Sequence, residues 1–95
     1  MCAMDFDKDA LLAIEEHRAT IDEIDEQVVA LLNARAMLSL AIRSLKPQAQ
    51  LGLYDPRREE EIFERITSFN DGPLFNDDLR TIYSVILKVS KEMHA

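Results

Sequence analysis

The chain is 95 residues long, with 47% hydrophobic and 31% charged side chains, the size of one small domain, taken as residues 1–95. Its 11 Lys and Arg against 18 Asp and Glu give a formal net charge of -7, which argues against a basic nucleic-acid-binding surface. Only 2 Gly and 3 Pro speak against a turn-rich all-β fold and against glycine-rich phosphate loops. Cys2 is the single cysteine, and His17 and His94 match no zinc spacing, so neither a disulfide framework nor a metal or other cofactor is expected. No unbroken apolar run approaches the roughly 20 residues of a membrane span. The N-terminus MCAMDFDKDA has no basic and apolar regions of the secretory kind. The composition reads as an acidic, cytoplasmic helical protein with no membrane partner.

In chain order, residues 1–8 are expected to form a flexible N-terminal segment. A long helix is expected from about Asp9 to Leu45. Ile14, Ile21, Ile24, Val28, Leu31, Leu38, Ile42 and Leu45 recur at spacings of three, four and their sums, the helical period. No Gly or Pro interrupts it, and Pro47 ends it because the residue before a proline avoids the α region. Asp5, Asp7 and Asp9 crowd its start, where the helix dipole favours negative charge. A loop with Pro47 and Gly52 follows. Asp55-Pro56 opens a second helix, with Asp as N-cap and Pro at the first helical position. Ile62, Phe63, Ile66 and Phe69 form its stripe, and Asn70-Asp71-Gly72-Pro73 ends it. Asn76 is expected to cap a third helix, striped by Leu79, Ile82, Tyr83, Ile86, Leu87 and Met93.

The first helix, about 37 residues, would be roughly 55 Å long. A compact chain of this length has a radius of gyration near 12 Å. The two shorter helices cannot cover its stripe along the whole length, so a second copy of the chain is expected to do so.

Two cations interrupt that stripe. Arg18 lies between Ile14 and Ile21, and Arg35 between Leu31 and Leu38. Lys46 follows Arg35 by eleven residues, close to three turns, and so returns to the same face. A guanidinium in an apolar stripe can snorkel to solvent or pair with a carboxylate; otherwise it requires an anion. Arg18 and Arg35 are 17 residues apart, roughly 25 Å along one helix, too far to share one small ligand within one chain. In an antiparallel dimer, Arg18 of one copy can approach Arg35 of the other. Arg58 and Glu59 stand in the first turn of the second helix, where Asp55 is explained by capping and a cation is not. Ser90 and His94 close the third stripe, which is also what a fraying terminus looks like. Arg18, Arg35, Lys46 and Arg58 against Asp55 and Glu59 suit a small dianion carrying a hydroxyl.

At these residues the chain resembles the all-helical (type II) chorismate mutases. The matching strings are Arg18-Ala19-Thr20-Ile21-Asp22-Glu23-Ile24-Asp25, then LLNARAMLSLAI, Lys46, and YDPRREEEI from Tyr54 to Ile62. Asn70-Asp71-Gly72-Pro73-Leu74 and a helix holding Ile86 and Ser90 follow. The resemblance implies an all-α fold, three helices per chain with a long first helix, in an intertwined homodimer. It implies rearrangement of chorismate to prephenate, a step of the shikimate pathway toward phenylalanine and tyrosine. It implies that the partner copy's Arg18 and the chain's own Arg35 bind the two substrate carboxylates. Lys46 would contact a carboxylate and donate to the ether oxygen. Asp55 and Glu59 would hold the ring hydroxyl, Arg58 would add positive charge, and Ser90 would help with the ring carboxylate. His94 stands where the family usually has Gln, as a donor to the ether oxygen opposite Lys46. Arg35, Lys46, Glu59 and His94 are therefore the expected catalytic set.

Three other readings compete. An isochorismate pyruvate-lyase shares Arg18, Arg35 and Lys46, although the Tyr54–Glu59 string and Gly72-Pro73-Leu74 favour the mutase. A 4-amino-4-deoxychorismate mutase fits Glu59 equally. A weakly active dimerisation or regulatory module of a larger shikimate-pathway enzyme is motivated by His94.

Overall fold

A computed structural model describes residues 7–93. They form three helices and no strand: α1 (Lys8–Leu45), α2 (Pro56–Ser68) and α3 (Asn76–Glu92). The fold class is all-α, as expected. The chain divides into two compact units, Met1–Arg35 and Ala36–Ala95, and α1 runs from the first into the second.

The first unit is helical from Lys8 onward. Asp7 caps it, its Oδ1 accepting from the amides of Asp9 at 2.9 Å and Ala10 at 3.1 Å, so α1 starts one residue earlier than the spacing predicts. Its 38 residues contain neither Gly nor Pro, the two costliest residues inside a helix. Every residue from 7 to 34 is exposed. Ile14, Ile21, Ile24 and Val28, predicted to face inward, are 45–53% exposed. An apolar stripe at helical period is thus present and uncovered. By length and composition α1 could also cross a bilayer, with an 18-residue window of mean hydropathy 1.5. Charged residues interrupt that stretch, so it contains no unbroken apolar run of spanning length. The core helix of a soluble protein can be equally long and apolar.

The second unit holds the last turns of α1, a loop, α2 and α3. The loop turns at Lys46–Gln50, where Leu51 N donates to Lys46 O at 2.9 Å and Gln50 takes a φ of 61°. Asp55 caps α2 as predicted: its Oδ1 accepts from Arg58 N at 3.1 Å, with Pro56 in the first helical turn. α2 and α3 pack on each other through Ile62 and Leu87, each 9% exposed. Phe63, Ile66, Leu79, Tyr83 and Ile86 are half-buried around them. Phe69 departs from the predicted stripe: it is exposed, and the Arg65 guanidinium lies 5.1 Å from its ring centre. Ile82 also remains exposed.

The α2–α3 connection is organised by Asn70. Its Oδ1 accepts from Gly72 N at 2.9 Å, and its Nδ2 donates to Leu74 O at 2.8 Å and Asn76 Oδ1 at 2.9 Å. Gly72 takes a φ of 78°, in the left-handed region that costs glycine least. Asn76 is therefore not the cap of α3 but its first residue. Phe75 holds the N-cap position, and the Asp78 carboxylate accepts from Phe75 N at 2.9 Å. The Asn76 side chain is already engaged by Asn70, so the capping role passes to an acid in the first turn.

Candidate active site

The expected site residues fall in both units. In the first, Arg18 and Arg35 stand on α1, 17 residues apart, roughly 25 Å along the axis. They do not meet within one chain. The Arg18 guanidinium is exposed and lies 3.2 Å from Glu15 Oε1, one turn back. Arg35 is half-buried. His94 lies outside the described residues.

In the second unit the loop curls around Lys46. Its Nζ donates to Leu53 O at 3.2 Å, which ties the ammonium to the stretch of loop leading into Asp55. Asp55 and Arg58 are linked through the cap of α2. The Arg58 guanidinium points along the helix surface to Glu61 Oε2, 3.6 Å away. Both side chains are largely exposed, so this ion pair also accounts for a cation at the positive end of a helix.

Glu59 is the most enclosed of the expected carboxylates, with its side chain 26% exposed. Lys91 of α3 reaches across and ion-pairs with its Oε1. Glu59, Phe63, Ser84, Leu87, Lys88 and Lys91 line a cleft of about 270 Å³ between α2 and α3. It combines an apolar floor with one carboxylate and two ammonium groups. Ser90, one residue before Lys91, is half-buried.

Two residues of this region escaped the reading of the sequence. Lys91 lies in the last turn of α3, and only helix packing brings it to Glu59. Arg43 lies in the last turn of α1, where a cation complements the helix dipole. In the structure its guanidinium donates instead to the C-terminal carbonyls of α3: Ser90 O at 2.9 Å, Lys91 O at 3.0 Å, and Met93 O. No local pattern distinguishes either role, because both partners are distant in sequence.

The family profile described as chorismate mutase type II matches residues 17–95, a span that includes every expected site residue. The chain belongs to the chorismate mutase type II family. Two solved structures of chorismate mutase from Thermus thermophilus are similar. The first (form I) is 32% identical, with a TM-score of 0.79 over 82% of this chain and 98% of that one. The second (form II) is 31% identical, with a TM-score of 0.82 over 85% and 92%. A bifunctional chorismate mutase/prephenate dehydratase from Aquifex aeolicus is 38% identical over 88 residues, 84% of this chain and 24% of that protein. A chorismate mutase from Methanocaldococcus jannaschii is 36% identical over 53 residues, 56% of this chain and 54% of that protein. The chain thus spans about a quarter or less of the length of the bifunctional relatives it matches first.

Proposed function

We propose that this chain is a chorismate mutase that rearranges chorismate to prephenate, and that it works as a homodimer in the cytoplasm. What supports the reading most is its likeness along 98% of a Thermus chorismate mutase chain at 32% identity. The uncovered stripe of α1 supports the dimer: a run of exposed Ile, Leu and Val side chains gains free energy when a second copy covers it. Dimer packing also gives α1 a core-helix reading without a bilayer, in which Arg35 near the centre of a span would cost about 3 kcal/mol.

By the positions of the family strings, one site takes Arg18 from one copy. The other copy supplies Arg35, Lys46, Asp55, Arg58, Glu59, Ser90 and His94. Four cations suit a substrate with two carboxylates, and Glu59 suits its ring hydroxyl. The rearrangement breaks one C–O bond and forms one C–C bond in a single cyclic electron shift. No proton is moved and no covalent intermediate forms. The protein's residues therefore contribute in two ways. Clamping both carboxylates holds the substrate compact and reduces the freedom that opposes reaction. Donors at the ether oxygen, Lys46 and His94, stabilise the negative charge that develops as the C–O bond breaks.

The test is prephenate formation by the purified chain, followed against isochorismate and 4-amino-4-deoxychorismate as competing substrates. Lys46→Ala is expected to reduce kcat/KM at least about a hundredfold while the protein stays folded. A folded variant within about threefold of the parent overturns the role of Lys46. A second reading, a mutase portion that serves a larger aromatic-pathway enzyme, is favoured by the bifunctional relatives. Weak activity alone that rises on adding a prephenate dehydratase would support it.

A further inference from the structure

Arg43 stands in the last turn of α1 and has no part in the binding or chemistry proposed above. Its half-buried guanidinium donates to three carbonyls at the end of α3, those of Ser90, Lys91 and Met93. The last four carbonyls of a helix have no partner within it, and the helix dipole makes that end a favourable place for a cation. A lysine could satisfy one or two of these acceptors. The planar, five-donor fork of an arginine reaches all three at once.

What this turn carries gives the contact its consequence. Ser90 is an expected carboxylate ligand. Lys91 pairs with Glu59, the most enclosed acid of the site. Lys46, the expected donor to the ether oxygen, follows Arg43 by three residues, and its amide and ammonium are both held within the same turn and loop. Arg43 therefore ties the segment bearing Lys46 to the segment bearing Ser90 and Lys91. Without it, three carbonyls at the end of α3 lose their donor from α1, and at most two helical turns separate that end from the buried Leu87 contact. Terminal turns of that kind fray.

We propose that Arg43 is a positioning residue of the chorismate mutase site: its three hydrogen bonds to the end of α3 hold Ser90 and Lys91 in register with Lys46 and Glu59. The inference rests on the function proposed above. A displacement of about 1 Å in a binding group is enough to cost a large factor in rate, and the loss of a terminal clamp permits shifts of that size.

The experiment compares the parent chain with Arg43→Ala, Arg43→Gln and Arg43→Lys, at a temperature where circular dichroism finds each fully folded. Steady-state kinetics with chorismate are read beside amide hydrogen exchange of residues 89–92. Arg43→Ala is expected to lower kcat/KM at least about tenfold and to speed exchange in that turn, with α2 unchanged. Arg43→Lys is expected to recover part of both, and Arg43→Gln less. If Arg43→Ala does not fold, the Gln and Lys variants carry the same comparison. A folded Arg43→Ala, or Arg43→Gln where Ala does not fold, with kcat/KM within about twofold of the parent or with unchanged exchange in residues 89–92 overturns the proposal. An inactive parent chain would instead overturn the functional reading, and the proposal with it.

Discussion

Glu59 and Lys91 form the one ion pair found between α2 and α3 among the described residues. The carboxylate side chain is 26% exposed and the ammonium side chain 60% exposed, so the pair is half in solvent and contributes little to stability. Its expected role is orientation. Lys91 holds the carboxylate that is expected to accept the substrate hydroxyl, at the mouth of a cleft floored by Phe63 and Leu87. Lys91→Met is expected to lower stability by less than about 1 kcal/mol in urea unfolding, yet to reduce kcat/KM roughly tenfold through Glu59. The double variant with Glu59→Gln should then be no worse than Glu59→Gln alone, the non-additivity of two groups that act as one unit. Additive losses would mean that Lys91 acts independently of Glu59.

The proposed sharing of one site between two copies gives a complementation test. Arg18→Ala and Lys46→Ala are each expected to be nearly inactive. Unfolding and refolding them together at equal concentration should restore about a quarter of the parent activity. Half of the dimers are then mixed, and each mixed dimer holds one site free of both substitutions. No recovery in mixtures that form mixed dimers would place Arg18 and Lys46 in the same chain's site.

The packing of α2 on α3 rests on few side chains. Leu87 is 9% exposed and has no apolar layer beyond Ile62 and its half-buried neighbours. Leu87→Ala is expected to cost about 2–3 kcal/mol in urea unfolding. The same change at exposed Val85 should cost under about 0.5 kcal/mol if that face stays in solvent. A large loss at Val85 would reveal that a second copy covers it.

The His-for-Gln departure at position 94 gives a pH test. An imidazolium donates from both ring nitrogens and a neutral imidazole from one. Histidine ordinarily titrates just below neutral pH. Activity is therefore expected to be highest on the acid side and to fall as the pH rises through that titration. His94→Gln should flatten the profile. A profile from pH 5 to 8.5 that is identical in both proteins would remove His94 from the ether-oxygen role.

Much of the fold was legible because its signals are local. Asp55-Pro56 opens α2 through one side-chain-to-amide bond and one fixed φ, and both are properties of adjacent residues. The end of α2 at Ser68, just before the Asn70–Gly72 turn, follows from the same short-range chemistry. The cap of α3 was misread because Asn76 has a better partner in Asn70, six residues away. A good capping residue can be claimed by a competing acceptor or donor that the local string does not display. The expected site residues were named from the sequence, and their contacts only from the structure. Lys46 donates to Leu53 O, Asp55 caps α2 and Glu59 pairs with Lys91, whereas the Arg58 guanidinium lies along its own helix surface toward Glu61.

Helical period, capping residues and the absence of Gly and Pro from α1 are written in the chain itself, as is the pattern of cations set into an apolar stripe. These determine three helices and the need for a covering surface, because hydrophobic spacing and backbone stereochemistry act over a few residues. The tertiary structure decided what the charges do. Arg43 meets carbonyls 47 to 50 residues away, and Lys91 meets Glu59 on another helix. Hydrogen bonds and ion pairs of this kind depend on where helices pack, and side-chain reach of a few ångströms turns a small change in packing into a different partner.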